Sequence, residues 1–237
     1  MISEGYVANG AKVYISSRDA KACEAACIEL NKMGPGSAVA IPADFYKLED
    51  CQKLAKRFNE LEDHLDVLVN NSGSNWGESY DSYPDKAWER VLTLNLQRVF
   101  TITQLLTPAL EKKASNTNPG RVINIGSIDG LRVPSLETFA YSASKAGLHH
   151  LSRVLANHLG KRNITSNVIA CGPFQSKMMK KTLEDFGEAI KEGIPLQRIG
   201  EKEDVAGTCI FLSSTAGAYV NGATIALDGG SVVGSKL

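Results

Sequence analysis

With 237 residues and 43% hydrophobic content, the chain is long enough to bury a core of its own, and its length suits one domain over residues 1–237 better than two. Its 26 basic and 26 acidic residues balance and form no long run of one sign, so we expect neither nucleic acid nor a membrane surface as a partner. No apolar run approaches the roughly 20 residues of a membrane span and no signal-peptide pattern precedes the first strand, which predicts a soluble protein.

The first predicted element is a helix over "SEGYVANGA" that ends at Gly10, since glycine suits the left-handed position after a helix. The strand-like run "KVYIS" follows it directly. A helix that leads into a buried strand is the second half of a β-α-β unit, which predicts a strand and a turn upstream. We therefore expect Met1 to be an internal methionine of a longer protein. The alternative is a protein that evolved without the upstream segment.

Strand and helix patterns alternate along the rest of the chain. The apolar runs that predict strands are "KVYIS", "SAVAIPAD", "LDVLVNN", "RVINIGS", "TSNVIAC" and "TIALDGG". The helical stretches between them include "AKACEAACIELNKM", "LEDCQKLAKRFNEL", "DKAWERVLTLNLQRVFTITQLLTPAL" and "ETFAYSASKAGLHHLSRVLANHLGKR". Nearly unbroken apolar strands that each lead into a helix are typical of parallel strands covered on both faces. The pattern predicts an α/β fold with a doubly wound parallel sheet, in which ligands bind beyond the carboxyl ends of the strands.

The cysteines indicate free thiols in a reducing compartment, because their number is odd and no two of them form a CxxC motif. They are Cys23, Cys27, Cys51, Cys171 and Cys209. Cys23 and Cys27 lie four residues apart on one helical face. They are either half of a metal site or, as we favour, two small apolar side chains of the core.

Polar residues follow several predicted strands, at the edge where a ligand is expected. Taken alone, "NNSG" at residues 70–73 and Ser127 are ordinary turn and cap residues. Tyr141 and Lys145 favour a catalytic interpretation, since residues four apart on a helix lie side by side. A neighbouring ammonium stabilises the phenolate and lowers the pKa of a tyrosine from about 10. We therefore predict that Tyr141 is a general acid/base, and that His149 and His150 pack or face solvent.

Spaced motifs then resemble those of the short-chain dehydrogenase/reductase family along essentially the whole chain. They are "YSASK", a serine fourteen residues before its tyrosine, "NNSG", "LNLQRVF" and "YVNGATIALDGG". Within the family, "SSRDAKACEAA" and "NPGRVINIGSIDG" are most similar to 3-oxoacyl-acyl carrier protein reductases, in particular the type assigned to rhamnolipid biosynthesis. The resemblance implies a homodimer or homotetramer that uses NADPH to reduce the carbonyl of a 3-oxoacyl thioester or polyketide-like substrate. The alternative is a non-catalytic interaction subunit.

The resemblance also implies the roles of four catalytic residues. Tyr141 donates the proton to the substrate carbonyl, and Lys145 lowers its pKa and holds the nicotinamide ribose. Ser127 bonds the substrate oxygen. Asn95 holds a water that connects Lys145 to solvent.

Cofactor choice is predicted from the end of the first strand. Ser17 takes the position at which NAD enzymes tend to place an acidic residue, and Arg18 follows it, which favours NADPH. We interpret Asp19 as the N-cap of the next helix. The cofactor-binding residues that the resemblance implies are Arg18, Asp44, Phe45, Asn71, Gly73, Tyr141, Lys145, Gly172 and Phe174.

The same resemblance identifies the segment expected upstream as the first strand and the Gly-rich turn that cradles the pyrophosphate. In the family order this strand is central, with two strands on one side and four on the other. Its hydrogen bonds and apolar side chains are worth roughly 15 to 20 kcal/mol, more than the about 5 to 15 kcal/mol of a typical domain. We therefore expect the chain to barely fold without it.

Two further expectations concern the last part of the chain. The segment at residues 175–200, "QSKMMKKTLEDFGEAIKEGIPLQRIG", is expected to form a lid, whose lysines either meet an acidic acyl carrier or CoA phosphate or form a solvated helix face. Ser235, Lys236 and Leu237 spell a peroxisomal import tripeptide, which predicts a peroxisomal location in a eukaryote and a cytoplasmic one otherwise.

Overall fold

Six strands lie where the apolar runs predict them, in a computed structural model that describes residues 1–176 and 179–234. The strands are β1 Lys12–Ile15, β2 Ser37–Ala40, β3 Val67–Asn70, β4 Gly120–Ile125, β5 Ile164–Cys171 and β6 Thr224–Leu227. All their pairings are parallel, so within each sheet the carboxyl ends point the same way. The predicted α/β fold with parallel strands is confirmed.

Helices connect successive strands, also largely as predicted. They are α1 Ile2–Ala8, α2 Ala20–Leu30, α3 Leu48–Leu61, α4 Asp85–Leu92, α5 Arg98–Glu111, α6 Phe139–Gly160, α7 Lys180–Glu192 and α8 Lys202–Ser213. The long helix predicted over residues 85–110 is interrupted by a π-helical turn at Thr93–Gln97. Gly10 follows α1 with φ of 87°, the left-handed conformation expected of it. Among the described helices, none has the length and apolar character needed to cross a membrane.

The strands form two sheets rather than one continuous sheet. One has the order β1-β2 and the other β3-β4-β5-β6, which is the predicted division into two strands and four. The residues of β4 and β5 are almost all buried, whereas those of β3 are half-buried throughout. The difference arises because β3 and β1 are edge strands, each hydrogen-bonded to a neighbouring strand on one side.

Helices on both faces hold the two sheets together. On one face, Val13 of β1 packs against a cluster that contains Val7 of α1, and Tyr6 of α1 and Val67 of β3 pack against a second, shared cluster. On the opposite face, Tyr14 of β1 and Leu68 of β3 pack against the same cluster of α3 and α5 side chains. Side chains alternate between the faces of a strand, so each sheet is covered above and below by helices that also touch the other sheet.

Close packing of α1 on α8 generates a prediction about stability. A Cβ at Gly5 would lie 2.5 Å from the Cβ of Ala206, whereas a Cβ at Gly207 of α8 would meet nothing within 4 Å. We expect Gly5→Ala to lower the free energy of unfolding by about 1 to 3 kcal/mol, because the two helices must separate. The matched control Gly207→Ala should raise it by about 0.5 to 1 kcal/mol through helix propensity. Urea denaturation measures both, and equal stabilisation by the two variants would contradict the packing of α1.

Candidate active site

The candidate residues meet at the carboxyl edge of the four-stranded sheet. Residues 71–74 follow β3, the turn Ile128–Gly130 follows β4 just after Ser127, and residues 172–174 follow β5. Helix α6 passes this edge and carries both Tyr141 and Lys145. The parallel sheet thus gathers three loops and one helix face in one place, as expected for a ligand site of an open α/β sheet.

Lys145 is the most deeply anchored charge of the site. Its side chain is buried, and Nζ donates a hydrogen bond of 2.7 Å to the carbonyl oxygen of Ile125 at the end of β4. Burial lowers the pKa of Lys145 to about 8. Nζ also lies 5.6 Å from the centroid of the Tyr141 ring, so the predicted neighbours do lie side by side.

The prediction that the pKa of Tyr141 is lowered is wrong. Burial raises the pKa of this phenol to about 12, and it outweighs the lowering effect of the nearby Ser127 hydroxyl. The nearby Asp129 and Cys171 raise the pKa further. The physical reason is that desolvation disfavours the phenolate more than its neighbours stabilise it. Tyr141 is therefore protonated at neutral pH, the state in which it has a proton to give.

Ser127 is the N-cap of the short turn Ile128–Gly130. Its Oγ accepts a hydrogen bond of 3.1 Å from the backbone N–H of Asp129, and it lies close enough to Tyr141 to lower the pKa of that phenol. The side chain is buried. The hydroxyls of Ser127 and Tyr141 therefore lie together, which is the arrangement needed to hold one substrate oxygen.

Asn95 ties the turn after β3 to helix α6. Its Oδ1 accepts from Ser74 N at 2.8 Å, while its Nδ2 donates to Ser74 O at 2.9 Å and to Ser144 Oγ at 3.0 Å. A Cβ at Gly73 would lie 3.4 Å from Asn95 Oδ1 and 3.9 Å from Lys145 Nζ, so the main chain of this turn passes close to both. Ser144, whose Oγ also donates to Tyr141 O at 2.7 Å, was not predicted from the sequence. Its position directly before Lys145 was the available signal. The water-holding role implied for Asn95 stays a prediction.

The segment after β2 reaches the same turn from the two-stranded sheet. Asp44 Oδ1 accepts from Tyr46 N at 3.1 Å, and the carbonyl oxygen of Phe45 accepts from Arg98 Nε at 2.9 Å. The hydroxyl of Tyr46 then donates to Ser74 Oγ at 3.3 Å. These bonds bring the predicted contacts Asp44 and Phe45 near the turn that contains Gly73.

The residues that are predicted to select the cofactor lie at the end of β1. Arg18 is exposed, and Ser17 Oγ lies 3.1 Å from Cys23 Sγ. Asp19 is the N-cap of α2, as predicted, and its carboxylate accepts from Ala22 N at 3.0 Å. Of Ser17, Arg18 and Asp19, only Arg18 carries a positive charge that could bind a phosphate.

The remaining residues that are predicted to bind the cofactor differ in how accessible they are to a ligand. Asn71 is exposed at the end of β3. Gly172 approaches the main chain of Asp228, since a Cβ there would lie 2.8 Å from Asp228 Cα. The ring of Phe174 is buried and packs against Gly200, so a cofactor contact by this residue is left to its main chain.

The two histidines behave as predicted. His150 is exposed, while His149 is 2% exposed and neither of its ring nitrogens has a hydrogen-bond partner. Burial lowers the pKa of His149 to about 4, with help from the positive charges of Lys145 and Arg153. Its ring is therefore uncharged at neutral pH.

Cys23 and Cys27 are both buried, which favours their interpretation as small core side chains. Within residues 1–176 and 179–234, no three metal-ligating side chains lie close enough together to hold an ion.

Helix α7 occupies residues 180–192 of the predicted lid, and none of its side chains is fully buried. Lys177 and Met178 of that segment, and the tripeptide Ser235, Lys236 and Leu237, lie outside the described residues.

Comparisons with known proteins match nearly the whole chain. A family model described as enoyl-(acyl carrier protein) reductase matches residues 1–232. The chain is 44% identical over 232 residues to the rhamnolipids biosynthesis 3-oxoacyl-[acyl-carrier-protein] reductase of Pseudomonas aeruginosa, covering 97% of this chain and 90% of that protein. It is 34% identical over 230 residues to the 3-oxoacyl-[acyl-carrier-protein] reductase FabG of Staphylococcus epidermidis, with coverages of 97% and 90%.

Two solved structures resemble this one. The complex of Pseudomonas aeruginosa RhlG with NADP superimposes with a TM-score of 0.93 at 43% identity, covering 98% of this chain and 90% of that one. A gluconate 5-dehydrogenase of Burkholderia cenocepacia, in complex with NADP and tartrate, gives a TM-score of 0.90 at 22% identity, covering 99% and 90%. The second likeness concerns the fold alone.

Burial of His149 generates a prediction about stability and pH. The folded-state pKa of about 4 lies below the ordinary 6.5, so the unfolded chain binds the proton first as the pH falls. We expect the free energy of unfolding to fall between about pH 6.5 and 4, with at most about 3 kcal/mol of the loss due to this group. Urea denaturation at a series of pH values should show a smaller loss for His149→Gln and an unchanged one for the exposed control His150→Gln. A His149→Gln curve parallel to that of the wild type would contradict the burial.

Proposed function

We propose that this chain, which belongs to the short-chain dehydrogenase/reductase family of oxidoreductases, reduces a carbonyl to a secondary alcohol with NADPH. The observation that carries the proposal is the protonated Tyr141 between Ser127 and the buried ammonium of Lys145. A proton donor, a hydroxyl for the substrate oxygen and a fixed positive charge are what the protein must supply for carbonyl reduction. No specific observation favours the alternative of a non-catalytic subunit.

Tyr141 is the proton donor in this proposal. Its pKa of about 12 keeps the phenol neutral, so the O–H has a proton to give to the substrate oxygen that Ser127 would also bond. NADPH, when bound, supplies the hydride that reduces the carbonyl carbon. The O–H bond of Tyr141 breaks as the new O–H bond of the alcohol forms.

Lys145 stabilises the phenolate that Tyr141 becomes. With a pKa of about 8, its amine carries a positive charge at neutral pH, and burial removes the water that would weaken its attraction to a new negative charge. The hydrogen bond to Ile125 O fixes the direction of the ammonium before the reaction begins. Preorganised charge of this kind lowers a barrier without reorganising at the moment of reaction.

The residues fit NADP as the cofactor. Glycine at position 73 leaves open the space that a Cβ would fill between this turn, Asn95 and Lys145. Arg18 is exposed and pairs with no carboxylate of the described residues, so its planar guanidinium is free to bind the 2′-phosphate. The RhlG complex with NADP supports the same cofactor.

A 3-oxoacyl thioester is the substrate class that we propose. Two relatives reported above are named as reductases of 3-oxoacyl groups on an acyl carrier protein. Apolar side chains lie exposed on the loop between Ser127 and Tyr141, namely Leu131, Val133 and Leu136. Exposed apolar residues beside a polar site suit a substrate in which a hydrocarbon chain follows the carbonyl.

We also propose a homo-oligomer, a dimer or tetramer, which is supported by the exposed aromatic residues Trp88 of α4 and Phe100 of α5. Both relatives named above come from bacteria, so the comparisons lend no support to the predicted peroxisomal import.

The chemical proposal predicts the behaviour of Tyr141→Phe. Removal of the proton donor should lower kcat for reduction of a 3-oxoacyl thioester by at least ~10², while the dissociation constant for NADPH changes little. The exposed Tyr80 provides the matched control, since Tyr80→Phe should leave kcat unchanged. Near-normal turnover by Tyr141→Phe would refute the assignment.

The cofactor proposal predicts the behaviour of Arg18→Ala. Loss of a charged hydrogen bond should weaken NADPH binding by about 1.5 to 3 kcal/mol and leave NADH binding nearly unchanged. Titration calorimetry measures both, with the exposed cation Lys21 as the control through Lys21→Ala. Equal losses for the two nucleotides would show that Arg18 does not bind the 2′-phosphate.

A further inference from the structure

His149 is a buried titratable side chain to which the reaction above gives no role. It is 2% exposed, and both of its ring nitrogens lack a hydrogen-bond partner. Burying two polar atoms without partners carries a free-energy cost that an apolar side chain of similar size would avoid. Hydrogen bonding therefore does not explain why a histidine ring occupies this buried position, and its packing contacts must.

The ring lies against both ends of the turn that carries Ser127. A Cβ at Gly126 would lie 2.4 Å from His149 Nε2, and a Cβ at Gly130 would lie 2.8 Å from His149 Cε1. The backbone N–H of Gly130 donates to Ser127 O at 3.0 Å, so the turn closes over the ring. The absence of side chains at positions 126 and 130 is what allows this contact.

The ring also shares a helix face with the catalytic pair. Tyr141, Lys145 and His149 lie at intervals of four residues along α6, and residues at this spacing are neighbours on one face. The helix that presents Tyr141 and Lys145 to the substrate therefore presents His149 to the main chain beneath Ser127.

We propose that His149 is a positioning residue, whose uncharged ring supports the turn from Gly126 to Gly130 and so fixes the Ser127 hydroxyl relative to Tyr141. The inference rests on the proposed function, in which Ser127 bonds the substrate oxygen. The distance between a catalytic group and its substrate is critical, because a displacement of about 1 Å costs on the order of 10²-fold in rate.

The charges around the ring keep it in the uncharged state that this packing needs. Lys145 and Arg153, both on α6, disfavour a third positive charge, and Val168 of β5 faces the same space at Gly126 with an apolar side chain.

The first test compares variants that differ in how well they fill the space. His149→Ala should lower kcat by at least ~10-fold and leave the dissociation constant for NADPH within about 2-fold, because only the turn is displaced. His149→Gln, with a flat uncharged end of similar reach, should restore kcat to within about 3-fold of wild type. The exposed neighbour is the control, and His150→Ala should not change kcat.

The second test needs no substrate. The amides of Gly130, Leu131 and Arg132 are hydrogen-bonded within the turn at 3.0, 2.8 and 2.9 Å. We expect their hydrogen exchange to be faster by at least about 10-fold in His149→Ala, while that of the β5 amides is unchanged. His149→Asn leaves a smaller cavity and should give an intermediate exchange rate, which keeps the test decisive if His149→Ala does not fold.

The two tests separate failure of this inference from failure of the proposed function. Unchanged exchange in the turn of His149→Ala or His149→Asn overturns the inference, whatever the activity. Full kcat in His149→Ala also overturns it. A wild-type protein that binds NADPH but reduces no 3-oxoacyl thioester overturns the proposed function, and faster exchange in the variants then supports the role of His149 in holding the turn.

Discussion

The hydrogen bond from Lys145 Nζ to the carbonyl oxygen of Ile125 fixes the geometry of the whole site. It joins helix α6 to the end of β4 and holds a cation where water is largely excluded. A buried ammonium needs such partners, since an unpaired buried charge is very costly. With Lys145 held in this way, the helix places Tyr141 one turn earlier on the same face, and the turn at Gly73 passes close to the ammonium.

Burial has opposite effects on the two titratable members of the pair. It raises the pKa of Tyr141 to about 12 and lowers that of Lys145 to about 8, so two pKa values that nearly coincide in water are moved apart. The phenol stays protonated and the amine stays largely charged at neutral pH. In the proposed reaction, proton transfer from Tyr141 creates a negative charge beside an existing positive one, and a preorganised positive charge stabilises that phenolate.

Much of the fold and the proximity of Tyr141 and Lys145 followed from local patterns in the sequence. Apolar runs located the strands, and the spacing of Tyr141 and Lys145 located the pair, because both depend only on the geometry of a strand or a helix. The direction of the Tyr141 pKa shift did not follow, since burial depends on the packing of distant segments. The hydrogen bonds of Asn95 did not follow either, because its partners Ser74 and Ser144 lie 21 and 49 residues away. No local pattern reports contacts of that kind.

The pH dependence of carbonyl reduction tests the central role of Lys145 most directly. The initial rate with NADPH and a 3-oxoacyl thioester would be measured from about pH 6 to 10, where Tyr141 stays protonated. We expect kcat/KM to fall through one ionisation near the Lys145 pKa of about 8, as the amine loses the charge that stabilises the phenolate. A rate that stays constant up to about pH 10 would refute the role of Lys145, because Tyr141 would then donate its proton without help from a charged Lys145.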